Sequence, residues 1–246
     1  MVQEQDRVAL VTGASRGIGA EIAKRLAADG FTVAVNYASN PDAASAVVNE
    51  ITSAGGKAFA VAADVSDAGA VAAMFASIAG RGSEVAVLVN NAGIMELAPI
   101  AQMDATTFDR MVAINLKGTF NTLQQAAKRM GDGGRIINTS TSVTKLRLPA
   151  YGAYAATKAA VETLTAILAR ELRGRNITVN AVAPGPTATE LFFKGKSEEL
   201  IGNITKMAPL ERLGEPSDIA AVVSFLAGPD GAWVNGQTLF ANGGAI

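Results

Sequence analysis

Short apolar segments alternate with longer alanine-rich segments along most of this chain of 246 residues. Runs such as Val8-Ala-Leu-Val11 and Val85-Ala-Val-Leu-Val89 are apolar at every position. Uniformly apolar strands are typical of parallel sheets that helices cover on both faces. Parallel strands need crossover connections, and because these are right-handed the helices wind onto both faces of the sheet. The alternation therefore predicts an α/β chain in which a parallel sheet lies between two layers of helices.

Seven strands fit this alternation, which predicts a three-layer, doubly wound Rossmann-type fold with a seven-stranded parallel sheet. The length suits a single domain over residues 1–246, and no linker divides the chain. The longest predicted helix covers Thr107–Met130. The predicted strands are Val8–Thr12, Thr32–Tyr37, Ala58–Asp64, Val85–Asn91, Arg135–Thr141, Ile177–Ala183 and Gln237–Ala241.

One segment, at about residues 186–213, interrupts the alternation and contains no clear strand. It follows Pro184-Gly-Pro186 and carries the apolar sequence Leu191-Phe-Phe193. Long insertions after the carboxyl end of a strand often close over ligands. We therefore predict that this segment is a substrate lid; simple packing of its apolar residues on the domain is the alternative.

The sequence Thr12-Gly-Ala-Ser-Arg-Gly-Ile-Gly19 joins the first predicted strand to the first predicted helix. Glycines permit a tight turn and a close approach of the backbone to a ligand. The helix N-terminus offers free N–H groups and a positive dipole end to a pyrophosphate. In this context the loop predicts a dinucleotide site, although a turn that merely requires glycine is the alternative. The candidate residues are Gly13, Ser15, Arg16, Gly17, Ile18 and Gly19.

The end of the second predicted strand indicates which dinucleotide is bound. Dinucleotide sites for NAD usually place Asp or Glu there to bind the ribose 2′-hydroxyl. Here the sequence Val35-Asn-Tyr-Ala-Ser-Asn40 has no carboxylate, and Arg16 offers a cation to a 2′-phosphate. We therefore predict NADP(H) as the cofactor. The candidate contacts at this strand end are Asn36, Tyr37, Ala38 and Ser39.

Asp64 ends the third predicted strand and Val65 follows it. Asp64 could accept a hydrogen bond from the adenine amino group. It could equally serve as a local cap before Ser66-Asp67. The sequence leaves these two roles open.

The composition excludes several kinds of chemistry and partner. The chain has no cysteine and no histidine, which removes disulfides, thiolate nucleophiles, Ser-His-Asp triads and Cys- or His-ligated metal sites. A net charge of −1 gives no electrostatic reason to expect nucleic acid or an anionic membrane. No signal peptide is visible before Val8, and no apolar run reaches the ~18 residues of a membrane span. These features predict a cytoplasmic protein.

Tyr154 and Lys158 lie four residues apart in a predicted helix, which places both side chains on one face. A phenol normally ionises near pH ~10, and a nearby cation favours the phenolate and lowers that pKa. A tyrosine tuned in this way is able to exchange a proton with a substrate oxygen. A chance pairing on a solvated helix face is the alternative for these two residues alone.

Several motifs occur in one order along the chain. They are the glycine loop, Asn90-Asn-Ala-Gly93, Asn115 within a helix, the Tyr154/Lys158 pair, Pro184-Gly185 and Asn242-Gly-Gly244. In this set and order the chain resembles the short-chain dehydrogenase/reductase family from residue 7 to its C-terminus. Val35-Asn-Tyr-Ala and the residues in the 140s further resemble the branch of 3-oxoacyl-(acyl-carrier-protein) reductases and fungal hydroxynaphthalene reductases.

The resemblance implies a role for each matching residue of the catalytic set. Tyr154 is the implied proton donor in reduction, or the base in oxidation. Lys158 is implied to lower the pKa of Tyr154 and to bind the nicotinamide ribose. Asn115 is implied to kink its helix and to hold a water that continues a proton path from Lys158.

The resemblance also implies a hydroxyl that holds the substrate carbonyl. The family usually has a serine 13 residues before the tyrosine, where this chain has Thr141. A spacing of 14, found in some relatives, selects Ser140 instead. Threonine carries the same donor and acceptor, so we predict Thr141 first, Ser140 second and Ser142 third.

Further cofactor contacts follow from the same resemblance. Residues near the adenosine ribose and the nicotinamide are implied, and the implied reaction is direct hydride transfer between nicotinamide and a carbonyl or carbinol carbon, with no metal. The implied contact residues are Asn91, Ala92, Gly93, Pro184, Gly185, Thr187 and Thr189.

The leading functional prediction is an NADPH-dependent carbonyl reductase for a 3-oxoacyl thioester, a quinoid compound or a simple ketone. An NAD(P)-dependent sugar or alcohol dehydrogenase and a non-catalytic NADP-sensing protein are the alternatives. Apolar residues of the predicted lid favour the reductase over a polyol enzyme. These residues are Leu191, Phe192, Phe193, Ile201, Ile204, Met207 and Leu210.

Two kinds of macromolecular partner are predicted. An acyl-carrier protein, which is acidic, would need a basic patch, for which Arg129 and Arg173 are candidates alongside their alternative role as solvated helix-end charges. The helices that contain Asn115 and Tyr154 are rich in alanine and sparsely charged, which allows close helix packing. Relatives pair through these helices, so a homotetramer is expected.

Overall fold

The structure is a computed structural model that describes residues 7–246. The charged residues Glu4 and Asp6, on which part of the signal-peptide prediction depends, lie outside the described residues. The seven strands are β1 Val8–Val11, β2 Thr32–Tyr37, β3 Lys57–Ala62, β4 Val85–Asn90, β5 Arg135–Thr139, β6 Thr178–Pro184 and β7 Thr238–Ala241. They form one sheet in the order β3-β2-β1-β4-β5-β6-β7, and every neighbouring pair is parallel. The predicted doubly wound, seven-stranded parallel fold is confirmed.

Helices cover both faces of this sheet. They are α1 Gly17–Ala28, α2 Pro41–Ser53, α3 Ala68–Ala79, α4 Ala105–Met111, α5 Gly118–Arg129, α6 Val143–Leu146, α7 Gly152–Glu171, α8 Glu190–Phe193, α9 Glu198–Thr205 and α10 Pro216–Ala227. One buried cluster joins α1, α2 and α10 to the sheet, and a second joins α3, α5 and α7 to the opposite face. Burial of both strand faces explains why the strand sequences are apolar without alternation.

The predicted helix Thr107–Met130 is wrong as a single regular helix. Helix α4 passes into a π-helical turn, Val112–Lys117, before α5 begins. Asn115 lies in this turn, where its side chain bonds to the backbone of Ile94 rather than facing solvent. π-Helical turns inside α-helices occur frequently at functional sites. This contact between distant parts of the chain explains why helical periodicity alone did not reveal the interruption.

The segment at residues 186–213 contains α8 and α9, two short helices that the sequence analysis did not predict. Each begins at a side-chain cap, because Thr189 accepts from Phe192 N and Ser197 accepts from Leu200 N. Such caps stabilise helix starts. Among residues 7–246, the structure shows no helix with the length and apolar character needed to cross a membrane.

Candidate active site

The carboxyl ends of β1, β4, β5 and β6 lie at one edge of the sheet and carry most of the predicted site residues. The glycine loop follows β1, Asn91 to Gly93 follow β4, and Ser140 to Ser142 follow β5. In open parallel sheets, ligands bind outside this edge, near the point where the strand order reverses. The reversal here lies between β1 and β4, so the topology places a ligand site beside the glycine loop.

The glycine loop is fixed in place by Thr12 and Asn91. The Thr12 hydroxyl accepts from the backbone N–H groups of Asn91 and Ala92, both at 3.0 Å. Asn91 Nδ2 donates to the carbonyls of Thr12 and Gly13, at 3.0 and 3.1 Å. Gly13 has a φ of +61°, and a β-carbon there would lie 2.9 Å from Ala92 Cα. The Asn91 amide thus positions the loop, and Gly13 permits its close packing on Ala92.

The N-terminus of α1 is open to an anionic ligand. Arg16 occupies the N-cap position without a side-chain cap, and the first turn contains no acidic residue. The N–H groups of the first turn, which begins Gly17-Ile-Gly19, therefore have no competing side-chain acceptor at the cap. Ser15 is half-buried beside them. An uncapped helix start of this kind matches the N–H donors that a pyrophosphate requires.

The end of β2 differs in part from the prediction. Asn36 is buried, and its amide donates to the carbonyls of Val61 and Ala63 at 3.2 and 3.1 Å. Its Oδ1 accepts from Gly13 N at 3.2 Å. The prediction that the Asn36 side chain offers a donor to a 2′-phosphate is therefore wrong, because these backbone groups already occupy it. It instead ties β2 to β3 and to the glycine loop.

Other groups near this strand end remain accessible. Tyr37 is half-buried, whereas Ala38 and Ser39 are exposed. The exposed Arg16 lies with its Nη1 at 3.8 Å from the Glu190 carboxylate at the start of α8. An exposed pair of this kind contributes little to stability, so Arg16 is free to turn toward a phosphate. These are the groups that would meet the 2′-phosphate of NADP(H).

Asp64 and Val65 follow β3. The exposed Asp64 carboxylate accepts from both the backbone N–H and the hydroxyl of Ser66, at 2.9 and 2.8 Å. The carbonyl of the buried Val65 accepts from Asn121 Nδ2 at 2.9 Å. Asp64 thus stabilises a local turn with Ser66, whereas Asp67 is the residue that caps α3. The contact of Asp64 with adenine stays a prediction.

Asn115 links the π-helical turn to the segment after β4 and to α7. Its side chain is fully buried, accepts from Ile94 N at 2.8 Å, and donates to Ile94 O at 2.9 Å and to Thr157 Oγ1 at 3.2 Å. A β-carbon added at Gly93 would lie 3.3 Å from Asn115 Oδ1 and 3.5 Å from Lys158 Nζ. Asn115, Gly93 and Lys158 therefore lie close together, whereas the water that the family resemblance implies between Asn115 and Lys158 stays a prediction.

Tyr154 and Lys158 lie on the same face of α7, but the pKa of the phenol departs from the prediction. Burial raises the pKa of Tyr154 to about 12, and the nearby Thr141 side chain offsets part of the rise by hydrogen bonding. Burial also lowers the pKa of Lys158 to about 8. Lys158 Nζ donates to the carbonyl of Thr139 at 2.8 Å. The predicted lowering of the Tyr154 pKa is therefore wrong for this structure, because loss of water disfavours the phenolate.

The three candidate hydroxyls after β5 face different partners. Ser140 donates to the Glu162 carboxylate at 2.5 Å. Ser142 donates to Ala183 O at 3.3 Å and accepts from Asn242 Nδ2 at 3.1 Å. Thr141 is the hydroxyl that interacts with Tyr154. The predicted ranking, with Thr141 first, stays a prediction that the substitutions described in the Discussion test.

A pocket of about 170 Å³ lies over these groups. Thr141, Tyr154 and Lys158 line its polar side. Its other walls are largely apolar and come from α1, the segment after β4, the loop around α6 and the segment at residues 186–213. The apolar wall residues include Ile18, Ile94, Met95, Val143, Leu146, Leu148, Leu191, Phe192, Ile204 and Met207. Large apolar walls with a few convergent polar groups are typical of small-molecule sites.

The predicted nicotinamide contacts lie along the same pocket. Pro184, Gly185, Thr187 and Thr189 all line it. The Thr187 hydroxyl donates to Gly185 O at 2.9 Å, and Thr189 caps α8. Both threonine side chains therefore stabilise the start of the lid segment.

A family model described as Enoyl-(Acyl carrier protein) reductase matches residues 13–245. The chain belongs to the short-chain dehydrogenase/reductase family. The resemblance drawn from the motifs is confirmed, and the family assignment covers the sheet, the glycine loop and the Tyr154/Lys158 pair together.

Among the similar proteins, one is named for NADPH and one was solved with bound NADP. An NADPH-dependent aldehyde reductase-like protein of Arabidopsis thaliana is 45% identical over 254 residues, which cover 98% of this chain and 94% of the relative. The 3-oxoacyl-[acyl-carrier-protein] reductase FabG of Staphylococcus aureus is 44% identical over 238 residues, which cover 96% of each chain. A solved structure of the angucycline C-6 ketoreductase LanV with bound NADP has a TM-score of 0.92 at 39% identity, covering 98% of this chain and 96% of that one. This short-chain dehydrogenase/reductase is thus an NADP(H)-dependent oxidoreductase.

The described residues fit NADP(H). The uncapped start of α1 suits the pyrophosphate, and the end of β2 carries no carboxylate that would repel a 2′-phosphate. Arg16, within the glycine loop, is an exposed cation available to the 2′-phosphate. When bound, NADP(H) supplies or accepts the hydride, whereas the protein supplies orientation and the proton.

Sequence reasoning missed several supporting residues of this enzyme. Thr12 holds the glycine loop, Ile94 and Thr157 bind the Asn115 amide, and Glu162 accepts from Ser140 and Thr144. Glu162 lies four residues after Lys158, so helical spacing already indicates that the two share a face of α7. The partners of Thr12 and Ile94 are distant in sequence, and no local pattern identifies them.

Proposed function

We propose that this enzyme is an NADPH-dependent carbonyl reductase that reduces a ketone, with Tyr154 as the proton donor. The substrate classes that we propose are 3-oxoacyl thioesters, quinoid compounds and simple ketones. The names of the Arabidopsis, Staphylococcus and LanV relatives, all reductases of carbonyl compounds, support this proposal.

The observation that carries the proposal is the state of Tyr154 at the base of an apolar pocket. A pKa of about 12 keeps the phenol protonated at neutral pH, which is the form needed to give a proton to a carbonyl oxygen. Thr141 interacts with the phenol and lines the same pocket. A carbonyl oxygen bound between the two hydroxyl groups would therefore be held and protonated at one place.

Lys158 has an electrostatic role in this mechanism. When the Tyr154 Oη–H bond breaks, the phenolate that remains is buried and needs a positive charge nearby. Lys158 is buried one helical turn away and, with a pKa of about 8, is largely protonated at neutral pH. Because Lys158 is buried, its attraction to the phenolate is stronger than it would be in water. The water-holding role of Asn115 remains part of the proposal.

The pH profile tests this role of Lys158. We expect kcat/KM for reduction to be constant near neutral pH and to fall with one ionisation centred near pH 8, because Lys158 then loses the charge that stabilises the phenolate. Tyr154 keeps its proton throughout this range. Initial rates at saturating NADPH, measured across the range, give the profile.

Two variants test whether the break in the pH profile comes from Lys158 or from another group. Lys158→Arg stays charged over the whole range and should lose the break, even if its activity is lower. Lys145→Gln, at an exposed position on the neighbouring helix α6, should keep it. A wild-type profile with no break near pH 8, or a break that persists in Lys158→Arg, contradicts the assignment.

The alternative activity, a sugar or alcohol dehydrogenase, is less well supported by the pocket. Leu191, Phe192, Ile204 and Met207 of the lid line it, and these side chains offer no hydrogen bonds to a polyhydroxy substrate. Phe193 and Ile201, also considered from the sequence, do not belong to its walls. The NADP-sensing alternative does not require the half-buried Tyr154 together with the buried Lys158 and Asn115, and the relatives reported above are named as enzymes.

The partners and the location remain proposals with differing support. Phe120 on α5 and Ile167 on α7 are each 48% exposed, which supports association of these helices into a homotetramer.

The FabG relative supports an acyl-carrier protein as carrier of the substrate. Of the candidate basic residues for such a contact, Arg129 donates to Gln125 on α5, and Arg173 follows the end of α7. A cytoplasmic location stays a prediction from the sequence.

The direct test is NADPH oxidation with a panel of carbonyl compounds: an acetoacetyl thioester, a quinone and an aryl ketone. We expect oxidation with at least one of them, and faster oxidation of NADPH than of NADH at equal low concentration. Absence of turnover with every compound, despite measurable NADPH binding, would overturn the reductase proposal in favour of an alcohol dehydrogenase.

A further inference from the structure

A second cavity, of about 270 Å³, lies directly beyond the catalytic pocket. The two share five wall residues: Leu146, Gly185, Pro186, Ile204 and Met207. The shared residues form the boundary between the two spaces. A ligand that enters the catalytic pocket therefore meets the second cavity behind Leu146, Ile204 and Met207.

The far walls of the second cavity are apolar and well supported. They include Ala208 and Leu210 at the end of the lid segment and Phe240 on β7. Leu210 N donates to Gly243 O at 3.3 Å, and a β-carbon at Gly243 would lie 3.3 Å from Ala208 Cβ. The C-terminal segment is thus packed against the end of the lid, which gives this cavity a defined shape.

The polar side chains around the second cavity are already paired. Arg212 donates to both carboxylate oxygens of Asp218, at 2.6 and 3.0 Å. Asn242 donates to Ser142 at 3.1 Å and accepts from Gly244 N at 3.0 Å. These contacts neutralise the one cation and the one anion of the wall. A phosphate or carboxylate would find no unpaired positive charge there, and burial of such an anion is costly.

The boundary between the two cavities is able to admit the methylene chain of a ligand. Leu146, Ile204 and Met207 are apolar, and none of them is fully buried. Met207 has an unbranched, flexible side chain of the kind that adapts to irregular spaces. The passage is therefore lined by groups that favour methylene contacts and that can move without breaking a hydrogen bond.

We propose that the second cavity is a distal substrate subsite, which takes an uncharged apolar arm attached to the carbonyl that Tyr154 protonates. The position of the carbonyl rests on the proposed function. The subsite itself rests on the apolar walls, the paired polar groups and the shared boundary. It predicts a preference for carbonyl compounds with a long unbranched arm over compact ones.

Binding of unreactive ligands tests the subsite without turnover. A series of straight-chain 2-alkanols of increasing length, added to the enzyme with saturating NADPH, forms complexes that cannot transfer hydride. We expect the affinity, measured by calorimetry, to rise about fourfold for each methylene that the cavity buries. The rise should stop once the arm fills the cavity.

A matched pair of variants locates the effect. Leu210→Trp adds a large side chain at an exposed position that lines the second cavity but not the catalytic pocket. We expect the affinity for the longest alcohol to fall by tenfold or more relative to wild type, so that affinity no longer rises with chain length. Leu200→Trp makes the same change on α9 at a position that lines neither cavity, and should keep the wild-type series.

The outcomes separate the subsite from the proposed function. Equal affinity for short and long alcohols, or an unchanged series in Leu210→Trp, overturns the subsite. If the series behaves as expected but no carbonyl compound supports NADPH oxidation, the subsite stands and the reductase proposal fails.

Discussion

Tyr154→Phe is expected to lower kcat for carbonyl reduction by roughly 10³-fold, within the range typical of a lost general acid. The variant has no proton to give, and the chain contains no histidine or cysteine to replace the phenol. Phenylalanine fills nearly the same volume, so the pocket should keep its shape. The measurement is kcat under saturating NADPH and ketone, together with NADPH affinity from fluorescence, which should change little.

Tyr151 provides the matched control for this variant. It lines the same pocket and directly precedes α7, and burial raises its pKa as well. If position rather than the presence of a phenol decides the chemistry, Tyr151→Phe should lose less than about tenfold in kcat, below the usual contribution of a general acid. Equal losses in the two variants, or a Tyr154→Phe enzyme with nearly full kcat, would exclude Tyr154 as the donor.

The fold followed from the sequence because its signals are local. Each strand is a short run of apolar residues between turn residues, and β2, Thr32–Tyr37, has the predicted bounds. The other strands differ from the prediction by one or two residues at an end, as with β5, which stops at Thr139. After Thr139 the chain leaves the sheet and enters the candidate active site. There, β-branched residues such as Thr141 no longer indicate that a segment pairs with a neighbouring strand.

The interruption at Asn115 could not be predicted from helical periodicity. The apolar pattern continues through Thr107–Met130 and does not mark the interruption. The family resemblance implied a kink at Asn115, and the contact between Asn115 and Ile94, across 21 positions, shows how the side chain is held there. The prediction that the Asn36 side chain binds the 2′-phosphate depended on its position alone, for a similar reason. Its position at a strand end was correct, but its amide is occupied by the distant carbonyls of Val61 and Ala63.

The pKa of Tyr154 shows the limit of reasoning from spacing. The four-residue separation correctly indicates that Lys158 shares its helix face. It carries no information about burial, and burial is the larger effect on both groups. The two shifts leave a protonated phenol one helical turn from a lysine with a pKa of about 8. The raised pKa makes the phenol a weaker acid than the sequence predicted, so proton donation depends on the charge of Lys158 to stabilise the phenolate as it forms.

Thr141→Val is the second large expected effect, a loss of roughly 10²-fold or more in kcat, comparable to removal of one oxyanion-hole donor. Valine has the shape of threonine without the hydroxyl, so the change removes the group that interacts with Tyr154, together with one long hydrogen bond of 3.3 Å from Val143 N. Ser140→Ala provides the contrast at the adjacent position. Its hydroxyl is directed to Glu162, so we expect kcat within about tenfold of wild type, below the effect of a lost oxyanion donor.

Stability measurements distinguish these two variants independently of activity. Ser140→Ala leaves Glu162 with one hydroxyl partner, Thr144, and should lower the free energy of unfolding by about 1 kcal/mol or more, the usual size for a lost hydrogen bond to a charged group. Full kcat in Thr141→Val with a large loss in Ser140→Ala would contradict the assignment of Thr141. It would identify Ser140, 14 residues before Tyr154, as the hydroxyl that holds the carbonyl. A large kcat loss in Thr141→Val at unchanged stability would instead show that the enzyme uses threonine where the family usually has serine, because the hydroxyl, and not the residue type, holds the carbonyl.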